Sequence, residues 1–360
     1  MPLIAPARLK VDPNFTDPRV LVHYAQRSGF AELFPGGEPA VRLGERDFAV
    51  YVPVMNMRTI AKGAQSGYNE LPSVSLVADT ITTPTYEQKI RVEYSREDLN
   101  AAGNWGLSLA QAYSTGMRQG HFQLLRDAAL FGFNPQNGEG LLNAQQGTVR
   151  DNLPADSKGN TTLDAYDAGE LYQFLLHLIQ SQLVRCNLTQ PSGQYNVGGE
   201  PVKVRLLMPQ RILALLTTKI VQLTSYQRIG AGTQSVMQAV IETMKAANVD
   251  VLAAPDDELM GRGTNGTDAV IATIPELPKR DGLSTFDTNA FGDEFGQSNT
   301  DCNALYVDRS VPAEITGPIG AEATDVVSFM RTTSGWALRG EATTILSVPV
   351  STSGVFSSAH

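Results

Sequence analysis

Apolar and polar positions alternate one for one between residues 84 and 94. Tyr86, Ile90, Val92 and Tyr94 fall on one side of an extended strand, and Glu87, Lys89, Arg91 and Glu93 on the other. An earlier run, 47–60, repeats at the same period through Phe48, Val50, Val52 and Val54. Pro53 interrupts it; proline removes a backbone donor, so this strand belongs at a sheet edge or a bend. Between the two runs, Lys62-Gly63-Ala64-Gln65-Ser66-Gly67 has the composition of a turn tip. Together they predict a long two-stranded projection. A lone hairpin is marginal in water, so this one needs a surface to lie on.

The period then changes. Ser95 followed by Asp98 marks a helix start. Beyond Gly103 and Gly106, the spacing of Leu109, Tyr113, Met117, Gly120, Leu124, Ala128 and Phe131 predicts a helix over 107–131, about 37 Å long. Gly116 and Gly120 lie on or beside its apolar stripe. Each costs about 1 kcal/mol against alanine in a helix, which predicts close backbone packing at both. Residues 144–162 read as a polar loop. A second helix follows from Asp164 to Val184, with Leu171, Leu175, Leu178 and Leu183 near one face. The Gly/Pro/Asn stretch 187–201 is a candidate domain boundary. After it come a strand over 202–208, helices over 209–218 and 234–247, and strands at Val249–Leu252 and Ala269–Ile274. A long polar loop over 281–303 precedes an apolar, β-rich end from Gly335 to Val350. This order is that of an α+β fold rather than a doubly wound sheet.

Residues 1–45 stand apart, with prolines at 2, 6, 13, 18, 35 and 39. They read as an extended arm with one short helix, capped by Asp17, opened by Pro18 and stopped after Ser28 by Gly29. Such an arm has little core of its own and is expected to lie on a neighbouring subunit.

Composition narrows the function. The 360 residues suffice for one large or two ordinary domains, and the 42% apolar content supports a sizeable core. Charged residues make up only 18%, which suits uncharged contact surfaces. A net charge of −9 with no basic cluster argues against binding nucleic acid by neutralising phosphates. Cys186 and Cys302 form no Cys-x-x-Cys spacing, so neither a disulfide framework nor a cysteine zinc site is expected, and a reducing compartment fits. The start, Met1-Pro2-Leu3-Ile4-Ala5-Pro6, lacks the build of a signal peptide, and no apolar run approaches the roughly 20 residues of a membrane span.

The search for reactive chemistry returns little. Gly261-x-Gly263-x-x-Gly266 spells a dinucleotide fingerprint, but acids precede it and a strand follows, so it reads as a turn. Asp287, Asn289 and Gly292 begin a calcium-loop pattern that fails at Phe291 and Ser298. Asp293, Glu294 and Asp301 leave only a loose carboxylate group. His23, His121, His177 and His360 are not paired at metal-ligand spacing. No catalytic residue, cofactor or metal site is assigned.

Four short stretches remain: Arg126-Asp127-Ala128-Ala129-Leu130-Phe131-Gly132; Gly138-Glu139-Gly140-Leu141-Leu142-Asn143; Asn303-Ala304-Leu305-Tyr306-Val307-Asp308 with Pro312-Ala313-Glu314; and Arg331-Thr332-Thr333-Ser334-Gly335-Trp336 with Arg339-Gly340. In this order the chain resembles the major capsid proteins of tailed bacteriophages, which share the Hong Kong 97-type fold. The resemblance implies an N-terminal arm (1–45), an extended β-hairpin loop (46–94), a peripheral domain (95–195) with a spine helix (107–131), an axial domain (196–319) and a return to the peripheral domain (320–360). It implies a structural, non-enzymatic protein that self-assembles through hexamers and pentamers into an icosahedral head shell. That shell would be built in the host cytoplasm, become part of the virion, and enclose double-stranded DNA without sequence-specific binding or a membrane. Portal, scaffolding and decoration proteins are the implied partners, with scaffolding supplied by a separate protein. Some members join a hairpin lysine covalently to a neighbour's asparagine, and Lys62 is the corresponding candidate. Tyr68, Arg331, Trp336 and Arg339 are the other candidate inter-subunit contacts, as exposed aromatics and arginines often anchor interfaces. An encapsulin-type nanocompartment shell and an enzyme with an unrecognised site are the alternatives.

Overall fold

A computed structural model of the chain describes residues 28–59, 74–104, 108–143, 148–186, 188, 196–197, 200–221, 234–276, 305–319, 323–337 and 340–351. In chain order the elements are β1 (Ala40–Val41), β2 (Ala49–Thr59), β3 (Val74–Ser95), α1 (Arg96–Asn104), α2 (Leu109–Leu130), β4 (Val149–Asn152), α3 (Ala168–Arg185), β5 (Asn196–Val197), β6 (Glu200–Met208), α4 (Gln210–Thr218), β7 (Ile220–Val221), β8 (Gln234–Ser235), α5 (Val236–Ala246), β9 (Val249–Pro255), β10 (Asp268–Thr273), β11 (Leu305–Tyr306), β12 (Asp308–Arg309), β13 (Ala313–Ile319), β14 (Ala323–Thr333), β15 (Trp336–Ala337) and β16 (Thr343–Val348). The architecture is α+β, built on two main sheets, with two small ribbons, β11–β15 and β7–β8.

One main sheet runs β4-β16-β10-β6-β5, with β9 alongside β6. Both of its faces are covered. Val204, Leu206, Met208, Val270, Ala272, Leu346 and Val348 point into a core roofed by α3, α4 and α5. Their alternates Leu207, Ala269, Ile271 and Ile345 point the other way, into a second core with Leu125, Ala129 and Leu130 of α2 and Leu141 and Leu142 beyond it. Every residue of β10 and β16 is buried. Each fully buried aliphatic side chain contributes about 1.5–3 kcal/mol, so these paired strands form the stable centre of the subunit. Asp167 caps α3 by accepting from the amides of Gly169 and Glu170, and Ser235 caps α5 by accepting from Gln238. The sequence expectation of loop over 144–162 missed β4, a short strand whose order comes from parallel pairing with β16.

The other main sheet runs β1-β12-β14-β3-β2, with β13 on β14. β3 is a 22-residue strand that serves two partners. Its first half pairs with β2, from Thr59↔Val74 to Ala49↔Pro84. Its second half pairs with β14, from Thr333↔Thr85 to Ala323↔Ser95. The alternating segment 84–94 therefore forms the body of a sheet, and only the part before it builds the projection. Its predicted sidedness holds: Gln88 is buried and Tyr86, Ile90, Val92 and Tyr94 are half-buried, while Glu87, Lys89, Arg91 and Glu93 are exposed.

α2 lies on that inner face. Tyr94 stacks on Tyr113 with ring centroids 6.0 Å apart. A Cβ on Gly120 would stand 2.7 Å from Ile90 Cδ1, so this glycine does permit a close approach. Gly116 has nothing within 4 Å and is exposed, so the packing predicted for it is absent within the described subunit. Ser95 and Asp98 form the expected reciprocal cap of α1: the Ser95 amide donates to Asp98 Oδ2 (3.0 Å) and the Asp98 amide to Ser95 Oγ (3.2 Å).

Candidate functional site

Three of the four sequence stretches that stood out converge at the end of α2. The helix stops where the Phe131 and Gly132 amides both donate to Asp127 O, at 2.9 and 3.1 Å. The chain turns through Gly138 and comes back alongside its own exit. The Leu141 amide donates to Ala129 O (2.8 Å) and the Leu142 amide to Leu130 O (3.0 Å). From about 200 residues away, Gly335 closes the crossing: its amide donates to Ala128 O (3.0 Å) and its carbonyl accepts from Gly140 (2.8 Å).

The glycines are required here. Gly132 and Gly140 have φ of +70° and +90°. A Cβ on Gly132 would stand 2.5 Å from the Glu139 carbonyl carbon, one on Gly140 would overlap Phe131, and one on Gly335 would overlap Ala129 O. Three backbones thus cross at contact distance. Asn143 ties the loop, donating through Nδ2 to Phe131 O (2.6 Å) and Glu139 O (3.0 Å).

Glu139 sits inside the crossing with no exposed surface. Its carboxylate accepts from the Tyr86 hydroxyl (2.9 and 3.0 Å), the Asn134 amide (3.0 Å) and the Ser334 hydroxyl (2.7 Å). It therefore links β3, the turn and the end of β14. Burial, reinforced by the hydrogen bond and the nearby charge of Glu139, pushes the Tyr86 hydroxyl up to about 12. Sequence reasoning singled out the turn but not this role. The available signal was an acid held between two glycines, Gly138-Glu139-Gly140, where no solvated loop acid needs such neighbours.

The arm also differs from expectation in its described part. Ser28 caps a short 3₁₀ turn, Gly29–Leu33, and Gly29 opens that turn rather than ending a helix there. Phe30, Leu33 and Phe34 are buried in this subunit's own second core. Phe30 meets Phe34 and Phe122 edge-on, at 5.0 and 5.8 Å. The Ser28 hydroxyl donates to Asp256 (2.5 Å), whose carboxyl is held above its usual range by burial. The helix expected over 18–28 otherwise lies outside the described residues.

At the root of the hairpin, the Arg331 guanidinium lies 4.7 Å over the ring of Phe48 and donates to Asp47 O (3.4 Å) and Thr85 Oγ1 (3.3 Å). Phe48 and Tyr51 remain 75% and 67% exposed, too open for a finished core. Among the described residues β2 has a strand on one side only. The Thr85 amide donates to Phe48 O, which sets the parity of the ladder: Pro53 falls at a pair where its missing N–H points away from β3. The edge position read from Pro53 is the one it occupies.

Of the candidate contact residues, Arg331 stands at this root. Trp336 lies in β15, paired with Tyr306, half-buried, with its indole nitrogen buried and unpartnered among the described residues. Lys62, Tyr68 and Arg339 lie outside the described residues, as do Cys302, His23, His360 and the 287–301 acids. His177 is exposed on α3, whereas His121 is buried between α2 and β14. Gly261–Gly266 forms a turn ahead of β10, with Gly261 and Gly266 at positive φ.

A sequence profile of the family described as major capsid protein matches residues 60–273. No curated protein matches the sequence. In fold the chain is similar to the capsid of Myoviridae phage XM1, at 14% identity and a TM-score of 0.61 over 93% of this chain and 96% of that one. It is likewise similar to the capsid of the native GTA particle, at 12% identity and a TM-score of 0.54, covering 97% and 98% of the two chains. A third likeness is to the capsid of cyanophage P-SCSP1u, at 12% identity and 0.53, covering 96% and 94%.

Proposed function

The chain belongs to the major capsid protein family, and from that premise we propose how its parts build a shell. It is a structural protein of a bacteriophage head, not an enzyme. In the proposal, copies join as hexamers and pentamers and enclose double-stranded DNA, whose retention needs no sequence-specific contact. Assembly takes place in the host cytoplasm, with portal, scaffolding and decoration proteins as partners. The peripheral region is taken as 95–195 with 320–360, the axial region as 196–319, and the arm (1–45) and hairpin (46–94) as clasps between subunits.

One observation carries this reading. The β2–β3 projection leaves the subunit with an unpaired outer strand among the described residues, and with Phe48 and Tyr51 exposed at its root. A projection of this kind is not stable alone and is expected to be completed by a neighbour. Arg331 at its root, together with Trp336, Arg339, Lys62 and Tyr68, are the proposed contacts. Lys62 is the proposed site of any covalent link.

Deleting residues 58–76 tests the reading. The expected product is a folded subunit, with native circular dichroism and a cooperative melt, that forms no stable shells in electron micrographs. Normal heads from the deletion would overturn the clasp role.

A further inference from the structure

Asn-Gly occurs twice in the chain, at 137–138 and at 265–266. Both asparagines are exposed, but the fold holds the two pairs differently. Thr264–Thr267 is a four-residue turn closed by the Thr267 amide, which donates to Thr264 O (3.2 Å). Asn265 stands at φ +57° and ψ +31° and Gly266 at φ +74°, the mirror-image type I′ geometry that Asn-Gly favours. The Asn265–Gly266 peptide is therefore the central one of the turn. Its Gly266 N–H meets no acceptor at hydrogen-bonding geometry among the described residues, and the Asn265 side chain makes no hydrogen bond among them either.

At 137–138 the same dipeptide sits one place later in its turn. There the Gly138 amide is the closing donor, to Pro135 O (3.1 Å), and the Asn137 amide donates to Asn134 O (3.1 Å). The Asn134 amide is in turn held by the buried Glu139 carboxylate (3.0 Å). Rotating the Asn137–Gly138 peptide breaks the bond that closes the turn and disturbs the glycine crossing behind it. Rotating the Asn265–Gly266 peptide breaks no such bond. The mirror-image turns I′ and II′ differ by that rotation, which takes ψ of Asn265 to about −120°. At that ψ the Gly266 nitrogen lies on the same side as the Asn265 Cβ, within reach of the side-chain carbonyl. Glycine has no Cβ to block the approach, and nothing lies within 4 Å of where one would stand on Gly266.

We infer that Asn265 is a self-modification site, at which the Gly266 backbone nitrogen attacks the Asn265 side-chain amide and deamidates it. Water or hydroxide takes the Gly266 N–H proton. The nitrogen bonds to Asn265 Cγ, the Cγ–Nδ2 bond breaks, and ammonia leaves, giving a cyclic imide. Water then opens the imide at either carbonyl. Breaking the new Cγ–N bond leaves aspartate at 265. Breaking the original peptide C–N bond leaves isoaspartate, with the chain running through the side-chain carbonyl. The net change consumes one water, releases one ammonia, and requires no oxidant, metal or enzyme. Both products carry a new carboxylate. The iso form also lengthens the backbone between Gly263 and Thr267, where the Gly263 amide donates to Thr267 O (2.6 Å), and beside Thr264, whose amide is tied to Ser347 Oγ of β16 (3.0 Å). The fraction converted thus records the time since folding, at the entrance to β10. The reaction does not rest on the shell reading.

The test follows the full-length protein at about pH 8.5 and about 37 °C over days, by peptide mass spectrometry after digestion at acid pH. In the folded protein Asn265 is expected to convert about 10-fold faster than Asn137, to a mixture of isoaspartate and aspartate about 1 Da heavier. In denaturant the two pairs are expected to convert within about twofold of each other, because the turns that distinguish them are gone. Gly266→Ala is expected to slow conversion of Asn265 about 10-fold by hindering the attacking nitrogen, and the wild-type comparison stands even if this variant fails to fold. Equal rates at the two sites in the folded protein, or the same difference surviving in denaturant, would overturn the inference. So would an unchanged rate in the folded alanine variant, or aspartate formed without isoaspartate, which points to direct hydrolysis.

Discussion

The two main sheets follow opposite rules. β10 and β16 are buried along their whole lengths, with helices on one face and the end of α2, the Gly140 turn and the Phe30 plug on the other. β3 is paired with β14 only from Ser95↔Ala323 to Thr85↔Thr333, and its other half runs out beside β2 alone. The first sheet is complete within one copy; the second ends, among the described residues, in an open edge at β2 that we propose a neighbour completes. On that proposal subunit stability and assembly lie in different parts of the chain, and the glycine crossing is where they meet.

Five substitutions break or sharpen this contrast, taken from largest effect to smallest. Gly140→Ala forces a Cβ into Phe131 at φ +90° and is expected to remove about 4 kcal/mol, from backbone strain plus overpacking. A denaturant midpoint unchanged from wild type would show that the crossing is not structural. Glu139→Gln removes the charge and replaces one of the two acceptor oxygens shared by Tyr86, Asn134 and Ser334 with an NH2 that can only donate, with an expected loss of about 2 kcal/mol. It also has a pH signature. Tyr86 is raised in the fold, so its contribution is intact below the ordinary value of 10.0 and is lost as pH rises toward about 12. Ultraviolet titration should find this tyrosine shifted back toward 10.0 in the variant.

The helix glycines give a paired test. Gly116→Ala enters open space and is expected to stabilise the isolated subunit by about 1 kcal/mol, while Gly120→Ala meets Ile90 and is expected to destabilise it. Equal thermal shifts for the two would contradict the packing described. If shells then fail only with Gly116→Ala, the exposed side of α2 is a contact surface. Phe48→Ala removes a ring already 75% exposed, leaving the melt within about 0.5 kcal/mol of wild type while lowering shell yield. A large stability loss with normal shells would reverse the assignment of the two sheets.

Much of the fold was legible because its signals are local. Asp167 and Ser235 cap helices that periodicity had already outlined, and the apolar run Ala269–Ile274 is long enough only for a buried strand. Pro53 announced an edge because a missing N–H has the same consequence in any sheet. The partner of the alternating segment was not legible. Period two says that one face of 85–95 is covered, but nothing in it distinguishes β2 from β14, since backbone donors and acceptors are alike in every strand. The burial of the 28–34 plug was hidden for a similar reason: prolines described an arm, while the site that receives Phe30 is assembled from Leu207, Ala254 and Leu259, far along the chain.

By itself, then, the sequence determined the elements, their caps and breaks, the sidedness of β3 and the family to which the chain belongs, all of which depend on neighbours in sequence. Tertiary structure alone decided that β3 would serve two partners, that Glu139 would be enclosed, and that Gly335 would close on Ala128 and Gly140. Those outcomes depend on which distant surfaces fit. A glycine advertises freedom at its own position, but only the fold supplies the backbone that comes close enough to need it.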